Sequence, residues 1–286
     1  MKNANLFGFL NIYKPKGITS FDVIYKLRKI LNIKKIGHAG TLDPLAEGVL
    51  PVAVGNASRL LEYLKGDKEY IAEIKFGEIS TTGDCEGEKE FIAEPKFSKS
   101  ELEEVLKSFI GVQKQIPPKY SAIKINGKKL YELARSGVEI NDIPEREIEI
   151  YSIKLLDFNL PYAKIQVECS SGTYIRSLVS DIGHKLETGA YMSDLTRVKS
   201  NGFGIENSLE IEKTTAENII NPIRVLNFEK YELNENELKR VLNGNFIDLK
   251  KETKSNFILL IKNGKLIAIG KNKIDKITID KVLNIC

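Results

Sequence analysis

Residues 37–51 read Gly-His-Ala-Gly-Thr-Leu-Asp-Pro-Leu-Ala-Glu-Gly-Val-Leu-Pro, and here His38 and Asp43 are the side chains best suited to chemistry. An imidazole and a carboxylate stand five positions apart on a glycine-broken segment. Gly37, Gly40 and Gly48 are expected to let the backbone approach a ligand closely. Pro44 biases Asp43 toward an extended conformation and stiffens its setting. A second reading stays open on these residues alone. Asp43 as N-cap, Pro44 as first helical residue and Gly48 as a stop would make a one-turn helix with no chemistry. His38 would then be an ordinary loop histidine.

Metal chemistry has little to work with. The chain contains two histidines, His38 and His184, which excludes a multi-histidine centre. Cys85, Cys169 and Cys286 are far apart and form no C-x-x-C pair, so neither a zinc ribbon nor a disulfide framework is expected.

The elements that must hold the 37–51 segment follow from periodicity. Ile18 to Leu31 predicts a helix capped by Thr19 or Ser20, with Val23, Ile24, Leu27, Ile30 and Leu31 on one face. Ser100 to Ile110 predicts a second helix, with Ser100 and Glu103 as a capping box and Gly111 as its stop. Tyr70, Ala72, Ile74 and Phe76 alternate as one face of a strand, as do Ile165, Val167 and Cys169. The latter strand runs through Ser170-Ser171-Gly172 into a helix with Ile175, Leu178, Val179, Ile182 and Leu186 inward. Strands and helices do not alternate regularly, which favours an α+β fold with a mixed, largely antiparallel sheet.

At 286 residues the chain is long enough for about two domains. A hydrophobic share of 42% and a charged share of 29% fit a globular chain with a sizeable core. No stretch approaches a membrane span and no signal peptide is read, so a cytoplasmic protein is expected. The division falls near residue 230. Residues 1–229 form the larger unit, and 230–286 a small β-rich one with a hairpin across Asn263-Gly264.

Net charge is only +4, but its distribution is uneven. Lys14 to Lys35, Gln113 to Arg135 and Lys250 to Cys286 are basic, while Asp84 to Glu104 is acidic. Separated basic surfaces suit a long polyanion, but on charge alone, at only +4 overall, solvated faces of a lysine-rich protein are the favoured reading.

The 37–51 motif resembles the catalytic signature of the TruB family, the bacterial tRNA pseudouridine-55 synthases. Three further blocks resemble that family in the same order: Lys14-Pro15-Lys16-Gly17 followed by Ser20, the stretch Tyr120 to Arg135, and Cys169-Ser-Ser-Gly-Thr-Tyr-Ile-Arg176. The tail resembles a PUA-like RNA-binding domain. The resemblance runs from about residue 8 to the end. It departs at Ser80 to Gly87, where Thr81 stands in place of the family's first acid and Asp84 remains.

The resemblance implies a catalytic domain over residues 1–229, with an RNA-gripping insertion at about 113–146. It implies isomerisation of a flipped-out uridine in the T-loop of tRNA. Asp43 is the implied nucleophile, or charge-stabilising carboxylate, of a glycosyl-transfer type of reaction. An isolated carboxylate in a dry pocket takes up a proton and reacts poorly, and a guanidinium beside it opposes this. Arg176 is the implied partner. Tyr70 would stack on the flipped base and assist proton removal at C5. Tyr174 and Leu195 would line the pocket, His38 would fill the space the base vacates, and Asp84 and Lys14 would contact the substrate. No redox step or energy input is needed, so no cofactor is implied. The implied partner is the T-arm of tRNA, met by a monomer with no membrane and no obligate protein partner. Competing classes are an RNA-binding protein with Asp43 as a mere cap, a base glycosylase, and a guide-RNA-dependent relative. The position of Lys14-Pro15 near the start of the chain favours the stand-alone type over the last.

Overall fold

The alternation that begins at Tyr70 becomes a central strand in the computed structural model, which describes residues 6–64, 66–121, 123–125, 127–136, 143–249 and 254–283. Part of the expected insertion, residues 137–142, lies outside the described residues, as does Cys286. The order is β1 (Gly8–Lys14), α1 (Ser20–Ile30), β2 (Ile36–His38), β3 (Glu47–Val54), β4 (Lys68–Phe76), β5 (Glu78–Ser80), β6 (Lys89–Phe91), α2 (Lys99–Lys107) and β7 (Gly111–Gln115). Then come β8 (Lys124–Ile125), β9 (Lys128–Lys129), α3 (Leu130–Arg135), β10 (Arg146–Asn159), β11 (Tyr162–Cys169), α4 (Ile175–Lys185), β12 (Ala190–Ser200), β13 (Phe203–Gly204), β14 (Leu209–Glu210) and α5 (Pro222–Val225). The chain closes with β15 (Glu229–Glu232), α6 (Glu235–Leu242), β16 (Ile247–Asp248), β17 (Phe257–Lys262), β18 (Lys265–Lys273) and β19 (Lys276–Val282).

Among the described residues, one sheet runs β14-β1-β3-β12-β4-β11-β10-β7, with β2 on β3 and β13 on β12. Its pairs are antiparallel except β1 with β14 and β3 with β12. This is the expected α+β arrangement, with a mixed and largely antiparallel sheet. Tyr70, Ala72, Ile74 and Phe76 face a core that α2 and α4 cover from above, through Leu102, Leu106, Leu178, Val179 and Ile182. On the other half of the sheet, α1 lays Val23, Ile24 and Leu27 against Leu10, Ile12, Leu50 and Val52. No helix among the described residues is long and apolar enough to cross a membrane.

Helix ends differ in detail from expectation. Thr19 caps α1, with Asp22 completing the box. The box on α2 is Ser98 with Glu101, not Ser100 with Glu103. Glu101 accepts from the Ser98 backbone N–H at 2.7 Å, and Ser100 instead meets the Ser98 hydroxyl. Gly111, at φ +110°, opens β7, and the helix has already closed at Ser108.

The second sheet runs β15-β17-β18-β19-β16. Its hairpin turn places Asn263 at φ +49° and Gly264 at φ +73°, the two positive values a type I′ turn needs. This sheet shares apolar surface with the first. Tyr63 packs edge-on against Phe228 and Phe257, in one cluster with Leu259, Leu266 and Ile269. Tyr63 also donates its hydroxyl to Asp280.

Candidate active site

Asp43 sits in a tight turn, not a helix. The Ala46 N–H donates to the Asp43 carbonyl at 3.1 Å, with Pro44 at the position where its fixed φ suits a β-turn. The one-turn helix alternative is therefore not formed.

Two buried cations clamp this loop from opposite sides. Lys14, at the end of β1, is fully buried and donates to the carbonyls of Ala46 (2.6 Å), Pro15 (2.9 Å) and Pro44 (3.3 Å). Burial holds its pKa down to about 8, and the negative charge of Asp43 works against that. Arg197, on β12, is also fully buried. It donates to the carbonyls of Val49 (2.8 Å), Thr41 (3.2 Å) and Gly40 (3.4 Å). The Ser20 hydroxyl adds a third tie, accepting from the Leu42 N–H at 2.9 Å and donating to its carbonyl at 3.0 Å. The Gly17 N–H donates to the Pro44 carbonyl at 2.8 Å. The N-terminal Lys-Pro-Lys-Gly motif and Ser20 thus work as a cradle for the Asp43 turn. Lys14, expected to contact the substrate, stands behind the loop instead.

Gly48 of the motif is required by the protein's own packing. A Cβ on Gly48 would stand 2.3 Å from the Arg197 carbonyl oxygen, because β3 and β12 touch there. On Gly40 it would meet the Lys68 ammonium at 3.5 Å.

A cavity of about 560 Å³ opens beside the turn. Asp43, Tyr70, Asp84, Tyr174, Arg176 and Leu195 all line it, together with Thr41, Lys68 and Tyr120. Arg176 is 7% exposed, on the first turn of α4. Its Nη2 lies 3.0 Å from Asp43 Oδ2 and its Nη1 3.5 Å from Asp84 Oδ2. It also donates to the carbonyls of Tyr120 (3.0 Å) and Thr82 (3.2 Å). Arg176 does not hold Asp43 with both nitrogens. It joins Asp43 to Asp84, which sequence reasoning had no means to foresee.

The start of α4 is held by Gln115 from β7. Its Oε1 accepts from the Tyr174 N–H at 2.8 Å and its Nε2 donates to the Tyr174 carbonyl at 3.1 Å. Asp84 is buried and accepts from Thr82 Oγ1 and from the Glu86 N–H. Thr81, at the position of the family's first acid, accepts from the Glu88 N–H at 3.1 Å and closes the β5–β6 hairpin. Tyr70 is 6% exposed, and burial pushes its phenol up, with Arg197 opposing. The hydroxyl therefore stays protonated. His38, at the end of β2, is not among the residues lining the cavity. Its Nδ1 is buried without a hydrogen-bond partner among the described residues, and burial lowers its pKa.

Asp43 is the one of these carboxylates open to an incoming ligand, with its side chain 36% exposed against 5% for Asp84. An ionisable oxygen fixed by a guanidinium, beside a tyrosine and a leucine at the cavity wall, suits nucleophilic attack on a flat, weakly polar group.

A family model described as TruB family pseudouridylate synthase (N terminal domain) matches residues 28–175. tRNA pseudouridine synthase B of Clostridium acetobutylicum is 47% identical over 243 residues, covering 83% of this chain and 84% of that one. The protein of the same name from Clostridium tetani is 43% identical over 289 residues, covering 96% and 99%. Among solved structures, a chain of a Cbf5–Nop10–Gar1 complex superposes with a TM-score of 0.72 at 26% identity, covering 97% of this chain and 85% of that chain.

Proposed function

The chain belongs to the TruB family of pseudouridylate synthases, and we propose that it converts uridine to pseudouridine in the T-loop of tRNA, with Asp43 as nucleophile. The observation that carries this reading is the Asp43–Arg176 ion pair at the wall of a cavity of about 560 Å³. The reaction breaks the N1–C1′ bond and forms a C5–C1′ bond. The proton on C5 leaves and N1 gains one, so nothing is oxidised or reduced. Asp43 supplies the anionic oxygen for the covalent step. Arg176 keeps that oxygen charged and aimed. A base paired or stacked in a folded loop cannot reach it, so the nucleotide must be turned out into the cavity.

In this reading Tyr70 stacks on the base, Tyr174 and Leu195 close around it, and Asp84 anchors Arg176. His38 fills the place the base leaves in the loop. Lys14 acts through the carbonyls it holds and not by touching RNA. The unit from residue 230 onward, and the segment at 113–146, add contacts to phosphates. The reading includes a monomer acting in the cytoplasm without an obligate protein partner.

The direct test is incubation with an unmodified tRNA transcript, followed by mapping of pseudouridine. The expected product is one isomerised base in intact RNA. An abasic site would mark a glycosylase, and unchanged RNA bound tightly would mark a binding protein. Affinity should fall steeply as salt rises, because phosphate contacts release counterions.

Tyr70 gives a graded test. Tyr70→Phe keeps the ring and removes the hydroxyl, which as a protonated phenol can relay the C5 proton by giving up its own as it accepts, a loss expected at about 100-fold in single-turnover rate. Tyr70→Leu removes the ring as well, and losing a base–aromatic stack should reduce the rate by about tenfold more. Equal rates for the two variants would leave stacking without support.

A further inference from the structure

Lys68 is a second cation at the cavity wall, and nothing in the proposed chemistry uses it. It opens β4, two residues before Tyr70, so both side chains leave the same face of the strand. It is half-buried, and no hydrogen bond or ion pair of its ammonium is found among the described residues. This is unusual company for a lysine in such a place. Buried charges are normally paired, because leaving water costs several kcal/mol per ion. Arg197, a cation whose charge opposes that of Lys68, is registered directly opposite Tyr70 on β12. Arg197 has carbonyl partners for its guanidinium, and no carboxylate neutralises it among the described residues. Arg176 already holds both Asp43 and Asp84. Lys68 therefore brings to the cavity wall a positive charge that no ion pair found among the described residues neutralises; the lining also holds Glu86, which is exposed.

We infer that Lys68 is a positioning residue whose ammonium binds a backbone phosphate flanking the turned-out nucleotide. In RNA the phosphates are the groups that carry negative charge, and three donors on a flexible stem suit a phosphate oxygen. Burial beside Arg197 holds the Lys68 pKa down to about 8, as befits an ammonium awaiting an anion. The inference rests on the reading that a flipped nucleotide enters this cavity. It adds a contact to the RNA backbone beside that nucleotide, outside the reacting atoms.

The test uses the full-length protein and a synthetic T-arm RNA. Lys68→Met keeps the apolar stem, and Lys68→Arg keeps the charge. For Lys68→Met, affinity should fall about tenfold, and the slope of log affinity against log salt should become shallower by about 0.7–0.9, the share of one phosphate. KM should rise with it, while the saturated single-turnover rate stays within a few-fold. Lys68→Arg should restore slope and affinity. A wild-type slope in the Met variant, or an Arg variant no better than Met, overturns the inference. Because a substitution in β4 can disturb folding, the unaltered protein supplies a second arm. Acetylation of Lys68 by acetic anhydride, followed by mass spectrometry, should slow about tenfold when the RNA is bound. An RNA with uncharged methylphosphonate linkages around the target uridine should lose that protection. Equal acetylation with and without RNA, or equal protection by the neutral RNA, overturns the inference. Wild-type pseudouridine formation is scored alongside. Its presence with a negative Lys68 result sinks the lysine assignment alone, and its absence sinks the parent reading.

Discussion

Asp43→Asn abolishes pseudouridine formation and leaves tRNA affinity within a few-fold of wild type. The amide matches the carboxylate in shape but carries no charge and cannot attack carbon. Removing the nucleophile of a covalent mechanism lowers the rate by about four orders of magnitude or more. Binding is spared because the RNA is held over a far larger surface than one carboxylate. The fold should survive too. Asp43 is partly open to water, and Arg176 keeps Asp84 and the carbonyls of Thr82 and Tyr120 when Asp43 is neutral. A pair screened in that way contributes about 1 kcal/mol or less, so the melting temperature should move little. Single-turnover assay with deamidation excluded is the measurement. Residual turnover above that range would show that the carboxylate does not attack.

Much of the architecture was legible because its signals are local. The stripe on α1, except for Ile30, which is exposed at the helix end, the inward alternation of β4 and β11, and the Asn263-Gly264 turn each depend on a few neighbouring residues. The box on α2 shows the limit of that logic. Two serines, Ser98 and Ser100, each precede a glutamate by three positions, and the pattern alone does not choose between them. The structure starts the helix at Lys99, which makes Ser98 the cap.

The site was legible in its members but not in its joints. Asp43, Tyr70, Asp84, Tyr174, Arg176 and Leu195 meet at one cavity, as their shared resemblance implied. Lys14 could not be placed by local reasoning, because its partners are carbonyls some thirty residues away. Arg197 and Lys68 were missed, although each carried a signal. Arg197 follows Leu195 by two and so falls on the inward phase of β12, where a guanidinium needs a special reason to be. Lys68 precedes Tyr70 by two on the inward phase of β4, and a strand read as starting at Tyr70 cuts it off. A charged residue in phase with an apolar stripe is the pattern to look for. In this chain it marks both the clamp on the Asp43 loop and a cation at the cavity wall with no ion pair among the described residues.

Arg176→Lys is the complementary experiment, because it preserves charge and removes geometry. The guanidinium makes four contacts in four directions: Asp43, Asp84, and the carbonyls of Thr82 and Tyr120. These tie the Asp43 turn, the loop after β5 and the segment before α3 to the first turn of α4. An ammonium is one point of charge on a narrower head, and it cannot span two carboxylates and two carbonyls at once. If it settles on Asp84, which is the more buried, Asp43 loses its fixed orientation. If it settles on Asp43, a buried Asp84 is left without its cation, and an uncompensated buried charge is destabilising by about 3–5 kcal/mol when nothing replaces the partner. Retaining a lysine nearby softens that, so a loss of about 1–3 kcal/mol is expected in denaturant unfolding. The single-turnover rate should fall by about 100-fold or more, since a misplacement of about 1 Å at a reacting atom is enough for that. Asp84→Asn separates the two effects. It leaves Arg176 in place with one carboxylate fewer, so it should cost less rate than Arg176→Lys, and the double variant should be less impaired than the sum of the singles, because both break the same junction. Additive losses would mean that Arg176 and Asp84 act independently, and that the junction between them does not position Asp43.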